Sequence, residues 1–90
     1  MADEKKPTID FYTFVLSLAS SAFVHLGDAP HPESGEVTET DLPQAHQIID
    51  ILDLLREKTR GNLTSEESKF LENLLTDLRL RYVAKASGRS

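Results

Sequence analysis

Cysteine is absent from the 90 residues, and that one absence closes several routes at once. No disulfide can staple the fold, no thiol can act as a nucleophile, and no thiolate can hold a metal. A cysteine-free chain suits a reducing cytoplasm. Tryptophan is absent too, and no glycine stands in a phosphate-cradling GxGxxG or GxxxxGK pattern. Nowhere do apolar and polar residues alternate with the period of a strand, and no internal repeat occurs. The longest uncharged run, Phe11 to Leu26, falls short of the ~20 residues of a membrane span, and Ser17, Ser20, Ser21 and His25 dilute it. The opening residues, MADEKKP, mix acids with lysines and do not read as a secretory signal. The chain is therefore expected to be soluble and cytoplasmic, without membrane insertion.

Positive charge is also scarce. Ten basic residues against fifteen acidic ones leave a net charge of −5, which disfavours nucleic-acid backbones and anionic membranes as partners. Four bases do gather near the C-terminus, Arg79, Arg81, Lys85 and Arg89, with no acid after Asp77. On a chain of this charge they read as cations complementing a helix end and a solvated tail.

What is present is helical. The stretch FYTFVLSLASSAFVHL, Phe11 to Leu26, predicts a first helix, with Asp10 or Thr8 as its N-cap and Gly27 as its left-handed stop. At 100° per residue, Phe11, Val15, Leu18, Ala22 and Leu26 form an apolar stripe, flanked by Tyr12, Leu16, Ala19 and Phe23, with Phe14 widening it. The opposite strip, Thr13, Ser17, Ser20, Ser21 and Val24, is small rather than charged. A helix with no charged face is normally enclosed by protein, and two further helices would struggle to enclose this one.

Residues 27–41, GDAPHPESGEVTETD, change the composition sharply. Pro30, Pro32 and Gly35 break any periodicity, and Asp28, Glu33, Glu36, Glu39 and Asp41 meet no base, so a solvated acidic loop is expected. A second helix follows Thr40 or Asp41, with Pro43 in its first turn, and runs to about Arg60. Leu42, Ala45, Ile48, Ile49, Ile51, Leu52, Leu54 and Leu55 cover more than half its circumference. Gly61, with Asn62, ends it, and Thr64-Ser65-Glu66-Glu67 forms a capping box that starts a third helix from Ser65 to about Ala84. So short a link makes an antiparallel helical hairpin. Leu71, Leu74, Leu75, Leu78 and Tyr82 give the third helix a narrow stripe, while Leu80 and Val83 lie off it. Asp77 and Arg81 form an i,i+4 pair.

The run DLPQAHQIIDILDLLREKTRGNLTSEE followed by FLENLLTDLRLRYV, with FYTFVLSLASSAFVHLG upstream, resembles a family of small bacterial proteins catalogued as domain of unknown function 1844. The most specific element is the turn Lys58 to Thr64 followed by Glu66 and Glu67. The resemblance covers residues 11–83. It implies a small all-helical domain in a bacterial cytoplasm and carries no catalytic residues to transfer.

Two polar constellations invite chemistry. His46, Asp50, Asp53 and Glu57 share one helical face, and a histidine with carboxylates is a workable ligand set for a transition metal. The same pattern describes a solvated strip on an amphipathic helix. Ser21, His25 and Asp28 suggest a hydrolytic triad, but a mid-helix serine lacks an exposed nucleophile elbow and an oxyanion hole. There Ser21 is expected to bond back to a helical carbonyl and His25 to cap the helix end. His31, between two prolines, reads as a solvated histidine with a possible ligand-contacting role.

The expectation is an all-α protein of three helices: a long uncharged helix, a long acidic loop, then a tight antiparallel hairpin, completed as a helical bundle by oligomerisation. Residues 1–9 form a flexible arm, 10–84 a single helical domain, and 85–90 a flexible tail. Function is expected to be non-enzymatic and cofactor-free, an oligomeric interaction or scaffold module with a dimer favoured, and an unidentified protein partner as a further candidate. A metal- or ligand-binding protein using the His46 to Glu57 face is the alternative. The expected interface draws on Phe11, Phe14, Val15, Ser17, Leu18, Ser20, Ser21, Ala22, Ile48, Ile51 and Leu55.

Overall fold

A computed structural model describes residues 9–31, 33–37 and 39–88. Three helices carry them: α1 spans Phe11–His25, α2 Leu42–Lys58 and α3 Ser65–Ala86, with no strand among the described residues. Each helix starts where a side-chain oxygen meets its free backbone donors. Asp10 accepts from the Thr13 N–H at 2.7 Å, and Asp41 from the Gln44 N–H at 3.2 Å. Thr64 accepts from the Glu67 N–H at 3.0 Å while the Glu67 carboxylate accepts from the Thr64 N–H at 2.9 Å, completing the capping box. The rival cap Thr8, the rest of the arm up to it, Pro32, Thr38, Arg89 and Ser90 lie outside the described residues.

The helix ends refine the expectations. At the end of α1 the Gly27 N–H reaches the Val24 carbonyl and the Asp28 N–H reaches the Phe23 carbonyl, both at 2.9 Å, with Gly27 at φ +78°. That pair of bonds is a Schellman motif, so backbone groups cap the helix and His25 is not needed for it. The hydroxyl that bonds back along α1 is Ser17, 2.9 Å from the Thr13 carbonyl. α2 stops at Lys58 rather than Arg60, where the Arg60 N–H tightens onto the Glu57 carbonyl at 3.3 Å and the chain turns through Gly61 at φ +85°. α3 runs on to Ala86, since no glycine or proline interrupts it before Gly88. Its last two residues were expected in the tail.

Each helix packs on both others. The core is Val15, Ala19, Ala22 and Leu26 from α1 and its cap, Ala45, Ile49 and Leu52 from α2, and Leu71, Leu75 and Leu78 from α3. Three alanines let α1 and α2 approach closely, so Ala19 lies at the centre of the α1 stripe while Phe11 and Leu18 stay half-buried at its edge. Five fully buried leucines contribute roughly 2 kcal/mol each. Tyr12 meets Phe70 edge-on at 5.2 Å, pinning the start of α1 to α3.

Candidate functional site

The side of α1 turned away from this core is an uncharged surface. Thr13, Ser17, Ser20 and Ser21 are exposed along it, and Phe14 and Leu16 border it with 44% and 49% of their surface in solvent. α1 contains no aspartate, glutamate, lysine or arginine. On α2 the matching outward residues are Ile51 and Leu54, both exposed, with Ile48 and Leu55 half-buried beside them. Val15 and Ala22, expected to serve an interface, are fully buried within the three-helix core and have no surface to offer. The stripe containing them faces α2 and α3, and the free surface lies on the other side.

The upper half of this face is a groove of about 590 Å³. Ser17, Ser21 and Val24 line it from α1, and Ala29, Pro30 and His31 form its opposite wall. Val24 is buried although it sits outside the main core cluster. The described residues from 33 to 41 are exposed, as expected of a solvated loop, while Ala29 and His31 are half-buried. The base of the loop is closed by the Asp41 N–H on the His25 carbonyl at 2.7 Å and by the Thr40 hydroxyl on the Leu26 carbonyl at 3.3 Å. Within the loop the His31 N–H reaches the Glu36 carbonyl at 2.8 Å and the Gly35 N–H reaches the His31 carbonyl at 2.7 Å. Such a loop, compact with its ends together, is an Ω-loop. His31 Nδ1 also accepts from the Glu33 N–H at 3.2 Å.

Asp28 fastens this loop to the far end of α3. Its carboxylate lies 3.0 Å from Lys85 Nζ and 3.2 Å from the Arg81 guanidinium, and its side chain is only 17% exposed. Partial burial works to raise the carboxyl's pKa, but hydrogen bonds and attraction from Lys85 and Arg81 outweigh it and hold it below the ordinary aspartate value. Arg81 is held in turn by Asp77 at 3.0 Å and lies over the Phe23 ring at 5.1 Å.

A family model described as Domain of unknown function (DUF1844) matches residues 8–84. The chain belongs to that family. Neither the curated proteins nor the solved structures contain a match to it.

The matched DUF1844 segment contains every residue of the outer face, the groove and the Asp28 latch except Lys85, which lies one residue beyond it. It also contains the polar constellations, and their side chains are taken up by neighbouring partners. His46 pairs with Asp50 at 3.1 Å and stacks edge-on with Tyr82 at 5.4 Å. Asp53 is taken by Arg56 at 2.6 Å and Arg79 at 3.1 Å, and Glu57 by Arg60 at 2.6 Å. Hydrogen bonding to Arg60 holds the Glu57 carboxyl below its usual range. The four side chains therefore do not converge, and no group of three metal-ligating side chains occurs among the described residues. The Ser21–His25–Asp28 set is divided as well, because the Asp28 carboxylate turns to Lys85 and Arg81. The described basic residues near the C-terminus are likewise engaged, Arg79 with Asp53 and Arg81 and Lys85 with Asp28. Leu80 and Val83, off the α3 stripe, are 67% and 60% exposed. No helix of the described residues is long and apolar enough to cross a membrane.

Proposed function

We propose that this DUF1844 chain is a non-enzymatic interaction module that works by pairing with a second copy of itself through the outer face of α1 and the adjoining edge of α2. The carrying observation is the uncharged outer face of α1, with Phe14 and Leu16 exposed on its two borders. Two copies each of charge −5 repel, and this is the face on which they meet without opposing like charges. Small side chains at Ser17, Ser20 and Ser21 allow close backbone approach. α1 alone is about 22 Å long and about 10 Å across, less than the ~800 Å² per partner of a standard interface. Ile48, Ile51 and Leu55 on α2 supply the remainder. Absence of cysteine supports work in a reducing compartment such as a bacterial cytoplasm.

Sedimentation equilibrium at micromolar concentration tests the reading. The parent should sediment as a dimer, and Phe14→Glu combined with Ile51→Glu should sediment as a folded monomer. A parent that stays monomeric at these concentrations overturns it.

A further inference from the structure

The outer face of α1 is not uniform along its length. Its lower part projects a large side chain, Phe14, and its upper part holds the groove between α1 and residues 29–31. We infer that this groove is the seat for Phe14 of a second copy, with the two α1 helices antiparallel. The inference rests on the self-association proposed above and adds its register.

Phe14 and Val24 lie five residues below and five above Ala19. A two-fold axis crossing α1 at the level of Ala19 therefore brings Phe14 of each copy level with Val24 of the other, about 7.5 Å from the axis along the helix. Viewed down the helix at 100° per residue, Phe14 lies on the same flank of the strip as Ser21 and His25. A two-fold axis lying in the interface preserves that flank, so each Phe14 ring meets the Ser21–Val24–His25 side of the partner's groove. Near the axis Ser17 of one copy faces Ser21 of the other, which permits close helix approach. The lining carries no carboxylate and no lysine or arginine, and Phe23, Val24, Ala29 and Pro30 give it the apolar surface that suits a phenyl ring. A groove of about 590 Å³ admits the ring. The seat and the side chain that fills it occur once each per chain, so a symmetric pair occupies both and leaves none open to further copies. That closes the assembly at two.

The cysteine-free sequence makes the register directly testable. Phe14 is replaced by the photoreactive benzoylphenylalanine, the protein is irradiated at micromolar concentration, and the adducts are mapped by mass spectrometry. Ser17→Cys and Ser21→Cys chains are mixed in parallel and oxidised, with Leu80→Cys as the control partner. Sedimentation of each sample accompanies both. The inference expects intermolecular adducts within residues 20–31 and a Ser17–Ser21 disulfide forming about a hundredfold faster than one to Leu80→Cys, given millimolar effective concentration in a pair. A dimer whose adducts fall on α2 or α3, or whose Ser17–Ser17 disulfide forms fastest, overturns the antiparallel register while leaving self-association intact. A monomer in sedimentation overturns both.

Discussion

The α2–α3 hairpin and α1 both face water, but they meet it with different material. On the hairpin, Arg56 bridges Asp53 and Glu72, Arg79 joins Asp53, Arg60 joins Glu57, and the connecting turn is closed by Gly61 and a complete capping box. These partners are local or lie across one helix pair, although the buried Arg56 Nε has no hydrogen-bond partner. α1 has no ion pair of its own, and its loop is held by a contact from Asp28 to residues more than fifty positions away. The hairpin covers much of its surface with paired charges, whereas α1 is uncharged and the loop after it is fixed from outside. Stability is therefore expected to reside in the core and hairpin, and association in α1.

The sharpest break in that comparison is a core change. Leu52 is fully buried on α2, the helix that packs on both α1 and α3. Leu52→Ala should cost about 3 kcal/mol, from lost transfer energy and the cavity left behind. Urea unfolding followed by circular dichroism should show one transition for all three helices at a lower midpoint. If α1 melts separately, the core is less shared than the contacts imply. Next comes the hairpin's start signal. Thr64→Ala removes the acceptor for the Glu67 N–H and should cost about 1 kcal/mol, read by the same titration. Replacement by serine should restore most of it.

How far such features were legible in the sequence follows the range of the interactions. Asp10, Asp41 and Thr64 as caps, Gly27 and Gly61 at positive φ, and the Asp77–Arg81 pair all depend on residues within five positions. Chain-local chemistry determines them, so a single sequence displays them. The Asp28 latch and the Asp53–Arg79 and Arg56–Glu72 pairs join distant segments, and no spacing rule announces them. The metal-like line from His46 to Glu57 is a mixed case: Arg56 and Arg60 lie three residues beyond Asp53 and Glu57 and were readable as local partners, and only Arg79 comes from a distant segment. On α1 the free strip was readable, but the reach of the core was not. Val15 and Ala22 went to the interior because alanines let α2 come close, a tertiary effect.

A smaller effect, with a pH signature, tests whether the loop after α1 is fixed from outside. Asp28→Asn removes a partly buried charge from between Lys85 and Arg81 and should cost about 1 kcal/mol at neutral pH. Because the carboxyl is held below its ordinary value in the folded protein, its contribution is full above the unfolded pKa of about 3.9 and is lost as pH falls through the lower folded value. Parent and variant should therefore differ in melting temperature at pH 7 and converge at the acidic end. A difference that persists unchanged to low pH would mean that the asparagine disturbs packing rather than the ion pairs.

The smallest expected effect on the single chain separates the two regions most cleanly. Phe14 and Leu80 are both exposed apolar residues on helix surfaces, one on α1 and one on the hairpin. Replacing either by serine should change the stability of an isolated chain by no more than about 0.5 kcal/mol, since neither sits in the core. Association alters that equality. A pair that forms only from folded chains raises the melting temperature with protein concentration, because the dimer drains the folded state by mass action. Leu80→Ser should keep the parent's concentration dependence, since the hairpin surface takes no part in pairing. Phe14→Ser should flatten it, and the two variants should converge only at the dilute end. If both variants keep the slope, the uncovered surface of α1 is ordinary exposed apolar area and differs from the hairpin only in lacking charge.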